Sequence, residues 1–499
     1  MTPLAIADVN LPVYTDSVVE SAGVTCFLAR LAPGDKRLGL LAATDAALPP
    51  GFAGEHSEVA GRRLLLCPLT HANAAALRDA LPWLRPVPLG LATSAGCGDR
   101  LGLATPGHAR AARRMRGDSP ASPIAMIFAQ QSIREMTRTG RSPDDVMDDA
   151  LWGAFQAGWR EPVGADADHL KTLEDIDRCA AAGFTFFTID PGEHVDPTAD
   201  RGNATTLRER YLALPWAQLD SSPSALAERY AGRRFDLADR AISLDEVTLY
   251  RAAVKYGRAV AHVAAMYHHL LAVMAGRPCE LEVSVDETDT PTTHAEHLFV
   301  AHELYRLGVR WVSLAPRYVG RFEKGVDYIG SLAEFDADFA GHAAIAAHFG
   351  PYKLSLHTGS DKFSIYERAA AHARGLLHLK TAGTSYLEAL RATAGFDPAL
   401  FREIYAFAIE HYETDRASYH VSGSLDRVPR PETLADAELP GLLEQFDARQ
   451  VLHVTFGSVL TTEQFKARLF AGLVAHEEEH YAALERHFVR HLEPLVKVE

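Results

Sequence analysis

From about residue 123 the chain repeats one rhythm. Short runs rich in β-branched and aromatic residues end in polar residues, and each is followed by a segment long enough for a helix. The runs are IAMIFAQQS, FTFFTIDPG, CELEVSVDE, RWVSLAPR, YKLSLHTGS, LLHLKTAG, ASYHVSGS and VLHVTFGS. Parallel strands need long crossover connections, and about eight of them close a barrel. The pattern predicts an α/β fold, a (β/α)8 TIM-like barrel over residues 121–499 with its chemistry at the carboxyl ends of the strands. The longest helical pattern, Ser243 to about Met274, opens with a Ser243/Glu246 capping box. It falls in a helical insertion, about residues 195–275, placed after the second barrel strand.

Residues 1–120 read as an α/β extension. VTCFLARL, RLGLLAAT and RLLLCPLT predict strands, HANAAALRDALPWL a helix, and RMRGDSPASP a polar linker. PVPLGLATS, residues 86–94, fits either a ninth strand or the true first one, with 87–95 as the candidate stretch.

Alternation along a strand sends successive side chains to opposite faces. In CELEVSVDE the leucine and valines suit the helix-covered outside, which turns Glu280, Glu282, Ser284 and Asp286 inward. The same phasing turns inward Thr188, Asp190, Ser313, Arg317, Ser355, His357, His378, Lys380, Ser418, His420, His453 and Thr455. A barrel interior is ordinarily filled with branched apolar residues. Burying this many polar groups without partners would cost several kcal/mol each, so a polar site at the rim is expected.

His194, His357, His420 and His453 fall at predicted strand ends. Each alone is more often a hydrogen-bonded structural residue, but together they favour a divalent-metal site. Imidazole mixed with carboxylate suits Zn²⁺, Mn²⁺, Co²⁺ or Ni²⁺, and His194, His357 and His420 are the expected ligands. Glu193, Asp286 and Glu287 are the candidate acid and base groups. Gln130, Asp190, Arg317, Lys362, Lys380 and His453 are placed as substrate contacts, with the three cations as a carboxylate clamp. The loop GCGDRLGLATPGH lacks a Walker ending and is read as a tight turn presenting Asp99, Arg100 or His108. His294 and His297, spaced HxxH, read as surface residues.

The net charge of −15 and the lack of a basic run exclude a nucleic-acid or anionic-membrane partner. No apolar stretch predicts a membrane span. The five cysteines are scattered, which argues against disulfides and thiolate zinc and fits a cytoplasmic protein. Nothing in the pattern specifies an oligomeric state.

The motifs SVDETDTPTT, SLAPRYVGRFEKGVDYIG, LSLHTGSDKFSIY, HLKTAGTSYLEALR and GDRLGLATPGH resemble the tagaturonate epimerase family over most of the chain. The resemblance implies metal-dependent interconversion of D-tagaturonate and D-fructuronate, a step in hexuronate catabolism, with a small sugar acid as substrate. These keto acids differ at a carbinol one bond beyond the carbon alpha to the ketone, so simple enolisation cannot invert it. Retro-aldol cleavage, rotation of the aldehyde fragment and re-addition would. Transient oxidation by NAD is the mechanistic competitor, but no GxGxxG follows a strand. A metal-dependent aldolase or sugar isomerase on the same barrel is the nearest rival, and a non-catalytic sugar-acid binding protein the next.

Overall fold

In the computed structural model, which describes residues 3–6, 9–44, 47–117, 119, 122–237 and 240–496, eight parallel strands close a barrel. In chain order they are β1 Ser94–Cys97, β2 Ala125–Ser132, β3 Val163–Leu170, β4 Phe186–Ile189, β5 Glu280–Ser284, β6 Ser313–Ala315, β7 Lys353–Leu356 and β8 Leu377–Thr381. Neighbours in sequence are neighbours in the barrel, and β8 closes on β1 with Thr381 opposite Cys97. Each strand feeds a helix or loop at its carboxyl end, so those ends share one rim.

Six of the eight expected runs are barrel strands, and two are not. ASYHVSGS starts within a short 3-10 turn, Arg416–Ser418, and continues as a loop. VLHVTFGS lies in the helices Phe446–Val454 and Phe456–Thr461. There the apolar residues Val451, Leu452, Val454, Phe456, Val459 and Leu460 join a helical core that also buries Leu400, Phe401 and Tyr405. Helical spacing of the buried positions, not alternation, decides that segment.

The two barrel places are taken instead by β1 and β3. The barrel therefore starts at Ser94, ahead of the residue-121 start expected from the linker, and of 87–95 only Ser94 and Ala95 belong to a strand. Of that linker, Asp118, Pro120 and Ala121 lie outside the described residues. Because both strands precede it, the insertion follows the fourth strand and not the second. Its long helix runs Glu246–Met274 and is capped by Asp245, whose side chain accepts from Thr248 N. Ser243 instead sits in a short antiparallel strand, Ala241–Leu244, so the expected capping box is not formed.

Ahead of the barrel, five strands between Val19 and Pro68 form an antiparallel sheet, including the three that the sequence predicts. Its core takes in Leu151, Trp152 and Phe155 from the barrel helix Pro143–Gln156, which docks the extension onto the barrel. Among the described residues the cysteines are free, and no helix is long and apolar enough to cross a membrane.

Candidate active site

Strand β3 reads Val-Gly-Ala-Asp-Ala-Asp-His-Leu, and its alternation sends Ala165 and Ala167 outward and Asp166 and Asp168 into the barrel. At its end the register shifts between Ala167 and Leu170, and His169 takes φ +51°. A non-glycine residue in the left-handed region is rare and costly, and such residues collect at functional sites. Here the break in alternation brings both Asp168 and His169 to the rim.

Lys380, from β8, fills the middle of the barrel. Its Nζ lies 2.8 Å from Asp166, 2.9 Å from Asp168, 2.9 Å from Glu282 and 2.6 Å from the Thr188 hydroxyl. Burial alone would lower this lysine, but the three carboxylates outweigh it and hold the ammonium above the ordinary lysine range. Asp166 is pushed up by burial, against Lys380 and reinforced by Asp168 and Glu282.

One layer higher, His357 Nε2 lies 2.8 Å from Asp168 and Nδ1 lies 3.0 Å from Asp286. Burial is outweighed by Asp286 and Asp168, so the imidazole is held well above its usual range. Asp286 also accepts from the Ser284 and Thr358 hydroxyls. Gln130 donates to Asp168 at 3.1 Å. His169 packs edge-on against His357, 3.3 Å from Asp190 and 3.7 Å from Glu287. Glu287 in turn pairs with Lys324 at 3.2 Å and Arg134 at 3.5 Å.

Above this layer opens a small cavity, lined by Asp168, His169 and His357 and by Arg100, Arg134 and Lys324 among others. Arg100 pairs with Glu135 through Nε and leaves a buried Nη1 without a partner. His453 lines the cavity from the helix Phe446–Val454. Burial pushes it well below the usual imidazole range, and its Nδ1 has no partner. Gly383 leaves the room for this ring, since a Cβ there would collide with it.

Ligand atoms of Asp168, His169 and His357 lie within 4.8 Å of one another, and those of His169, Asp190 and Glu287 form an overlapping group. The buried His169 Nδ1 is held only by the Asp190 carboxylate, 3.3 Å away. Two imidazoles with several carboxylates are the donor set of first-row divalent cations, so these residues fit such an ion.

Several expected site residues stand elsewhere. Glu193 has a side chain 74% exposed and pairs with Lys171 outside the cavity. His194 is exposed and stacks on His262. His420 is exposed on the loop that replaces the expected seventh strand. Lys362 spends its three N–H groups on the carbonyls of Glu323, Val326 and Ser360, and burial lowers it to about 7. That lysine braces loops and has no donor left for a substrate. Lys380 is likewise saturated, and Arg317 contacts Thr292 through its main chain without lining the cavity. The cations that do face the cavity are Arg100, which the GCGDRLGL loop signalled, and Arg134 and Lys324, which follow β2 and β6. Replacing His194 or His420 with Ala is expected to leave turnover within about twofold, as for other exposed positions; a steady-state assay checks this.

A closed parallel barrel with carboxylates, imidazoles and cations gathered around one cavity at its carboxyl rim has the layout of a barrel enzyme's active site. The family model for tagaturonate epimerase matches residues 14–495. A tagaturonate/fructuronate epimerase of Thermotoga maritima is 43% identical over 486 residues, covering 97% of this chain and 96% of that protein. A glycerol-complexed crystal structure of the fructuronate-tagaturonate epimerase UxaE from Cohnella laeviribosi superimposes with a TM-score of 0.90 at 38% identity, covering 97% of this chain and 96% of that one. Its native crystal form gives the same TM-score and covers 98% and 97%. The chain belongs to the tagaturonate epimerase family and is an isomerase.

Proposed function

We propose that this enzyme interconverts D-tagaturonate and D-fructuronate at the β3–β7 rim, with a divalent cation held by Asp168, His169 and His357. The observation that carries the reading is the juxtaposition of this carboxylate–imidazole cluster with Arg100, Arg134 and Lys324 around one cavity. The cluster suits a hydroxy-ketone and the cations a carboxylate, as the two ends of a keto-uronate require.

The inverted carbon bears a C–H that the ketone does not acidify, so its configuration changes by breaking a carbon–carbon bond. Glu287 and Asp286 are the carboxylates beside the cluster, just behind the cavity lining. Against burial, Lys324 beside Glu287 and His357 beside Asp286 keep both ionised, and one takes the hydroxyl proton from that carbon. The oxygen's electron pair closes to an aldehyde, the bond toward the ketone side breaks, and its electrons delocalise onto the ketone oxygen. Arg100, Arg134 and Lys324 keep the carboxylate-bearing aldehyde fragment in the cavity while it presents its other face. Re-addition reforms the bond, and the same carboxylate returns the proton. A divalent cation at the cluster supplies Lewis-acid stabilisation of the charge that develops on the ketone fragment.

Dialysis against EDTA is expected to abolish turnover of D-tagaturonate, and Mn²⁺, Co²⁺, Ni²⁺ or Zn²⁺ to restore it. Full activity in protein verified as metal-free by elemental analysis would overturn the metal assignment. Arg134→Ala or Lys324→Ala should slow D-tagaturonate by about 10- to 150-fold, the loss of one charge-assisted hydrogen bond of roughly 1.5–3 kcal/mol. The neutral ketose tagatose should be affected far less. Equal slowing of both substrates would remove these residues from carboxylate binding.

A further inference from the structure

Outside the barrel wall the helices His294–Arg306 and Leu332–Phe349 pack against each other and carry a second histidine cluster. The HxxH spacing suggests exposure, yet His297 is buried, as is His342. Asp338 and His342 are four residues apart on one helix and so share a face, and His294 faces them from the other helix. His342 Nε2 is buried and has no hydrogen-bond partner. It lies 3.5 Å from Asp338 Oδ1, and His294 Nε2 lies 3.7 Å from the same oxygen.

Both separations exceed a good hydrogen bond. They are close to the donor–donor edge, about 3.3–3.6 Å, of a tetrahedron with metal–ligand bonds of about 2.0–2.2 Å. The surroundings orient each donor. Asp338 Oδ2 accepts from Val319 N at 3.0 Å, which leaves Oδ1 facing the histidines. His342 Nδ1 lies 2.8 Å from His297 Nδ1, and His297 Nε2 lies 2.7 Å from the Tyr352 hydroxyl. In the tautomer in which His342 Nδ1–H donates to His297 and His297 Nε2–H donates to the Tyr352 hydroxyl, the lone pair of His342 sits on Nε2 and faces Asp338 and His294. Gly341, beside His342, makes room for His294, because any Cβ there would run into its ring.

We propose that His294, Asp338 and His342 form a structural site for a divalent cation of the Zn²⁺ class that staples the two helices, with water as fourth ligand. The site shares no residue with the rim cluster and stands independently of it. His294 Nε2, now 2.9 Å from the Asp338 main-chain oxygen, exchanges that hydrogen bond for the cation.

Zn²⁺ alone is the probe. Full-length wild type and His294→Gln, a substitution at a side chain 31% exposed, are stripped with EDTA, equilibrated with Zn²⁺, desalted and analysed by elemental spectrometry. His294→Gln should carry one equivalent fewer per chain, and its thermal midpoint should gain less from Zn²⁺ than that of wild type. The same one-equivalent difference should appear in an Asp168→Asn background, which separates this site from the rim. Co²⁺ titration should give the visible absorption of a tetrahedral nitrogen–oxygen site in Asp168→Asn that His294→Gln removes. Equal Zn²⁺ content and equal Zn²⁺ stabilisation in wild type and His294→Gln would overturn the proposal.

Discussion

Replacing Lys380 with Met is expected to destabilise the protein more than any other single change at the site, by roughly 3–5 kcal/mol or to the point of misfolding. The ammonium is within 3 Å of Asp166, Asp168 and Glu282 inside the barrel. Removing it leaves three buried carboxylates to repel one another with only His357, 2.8 Å from Asp168, as a nearby counter-charge, whereas the pairing as it stands offsets their desolvation. Urea titration followed by circular dichroism measures the loss. A Lys380→Met variant with wild-type stability and no activity would instead mean that the lysine acts on substrate and not on the barrel.

Asp168→Asn is expected to leave the fold intact and lower kcat/KM by about 10³-fold or more, the equivalent of about 4 kcal/mol of transition-state stabilisation. Asp168 touches His357, Lys380 and Gln130 at once, and its carboxylate is the one shared by the cation cluster and the lysine. The amide keeps the shape and the hydrogen bond to Gln130 in altered form, but loses the charge. Bound divalent metal should fall with activity. Near-native kcat/KM in a correctly folded Asp168→Asn would remove this residue from the chemistry.

The barrel and its polar interior were legible because the six correctly read runs carry large apolar residues such as Ile, Phe, Val or Leu bounded by polar loop residues, and because inward acids and bases stood out against apolar partners. Glu282, Ser284, Asp286, His357 and Lys380 all point where alternation places them. Strands β1 and β3 were not legible for the converse reason. Ser-Ala-Gly-Cys and Val-Gly-Ala-Asp-Ala-Asp-His-Leu use small residues on the outer face, so the usual strand signal is absent. That omission hid Asp166, Asp168 and His169, the carboxylates and imidazole on which the site turns. The alternation of Ala with Asp was the available signal. His420 and the seventh expected run failed differently, since Tyr-His-Val-Ser alternates like a strand but the barrel was already full. Lys362 shows a third limit: a lysine beside Gly and Ser after a strand reads as an anion clamp, yet only coordinates reveal that its donors are consumed by carbonyls.

The central claim, that the rim inverts one carbinol of a keto-uronate by breaking and remaking a carbon–carbon bond, is tested most directly with D-tagaturonate deuterated at the inverted carbon. The label should be retained in D-fructuronate, because that hydrogen travels with the aldehyde fragment, and an added unlabelled aldehyde fragment should slowly dilute it. Loss of deuterium to solvent would contradict cleavage and re-addition.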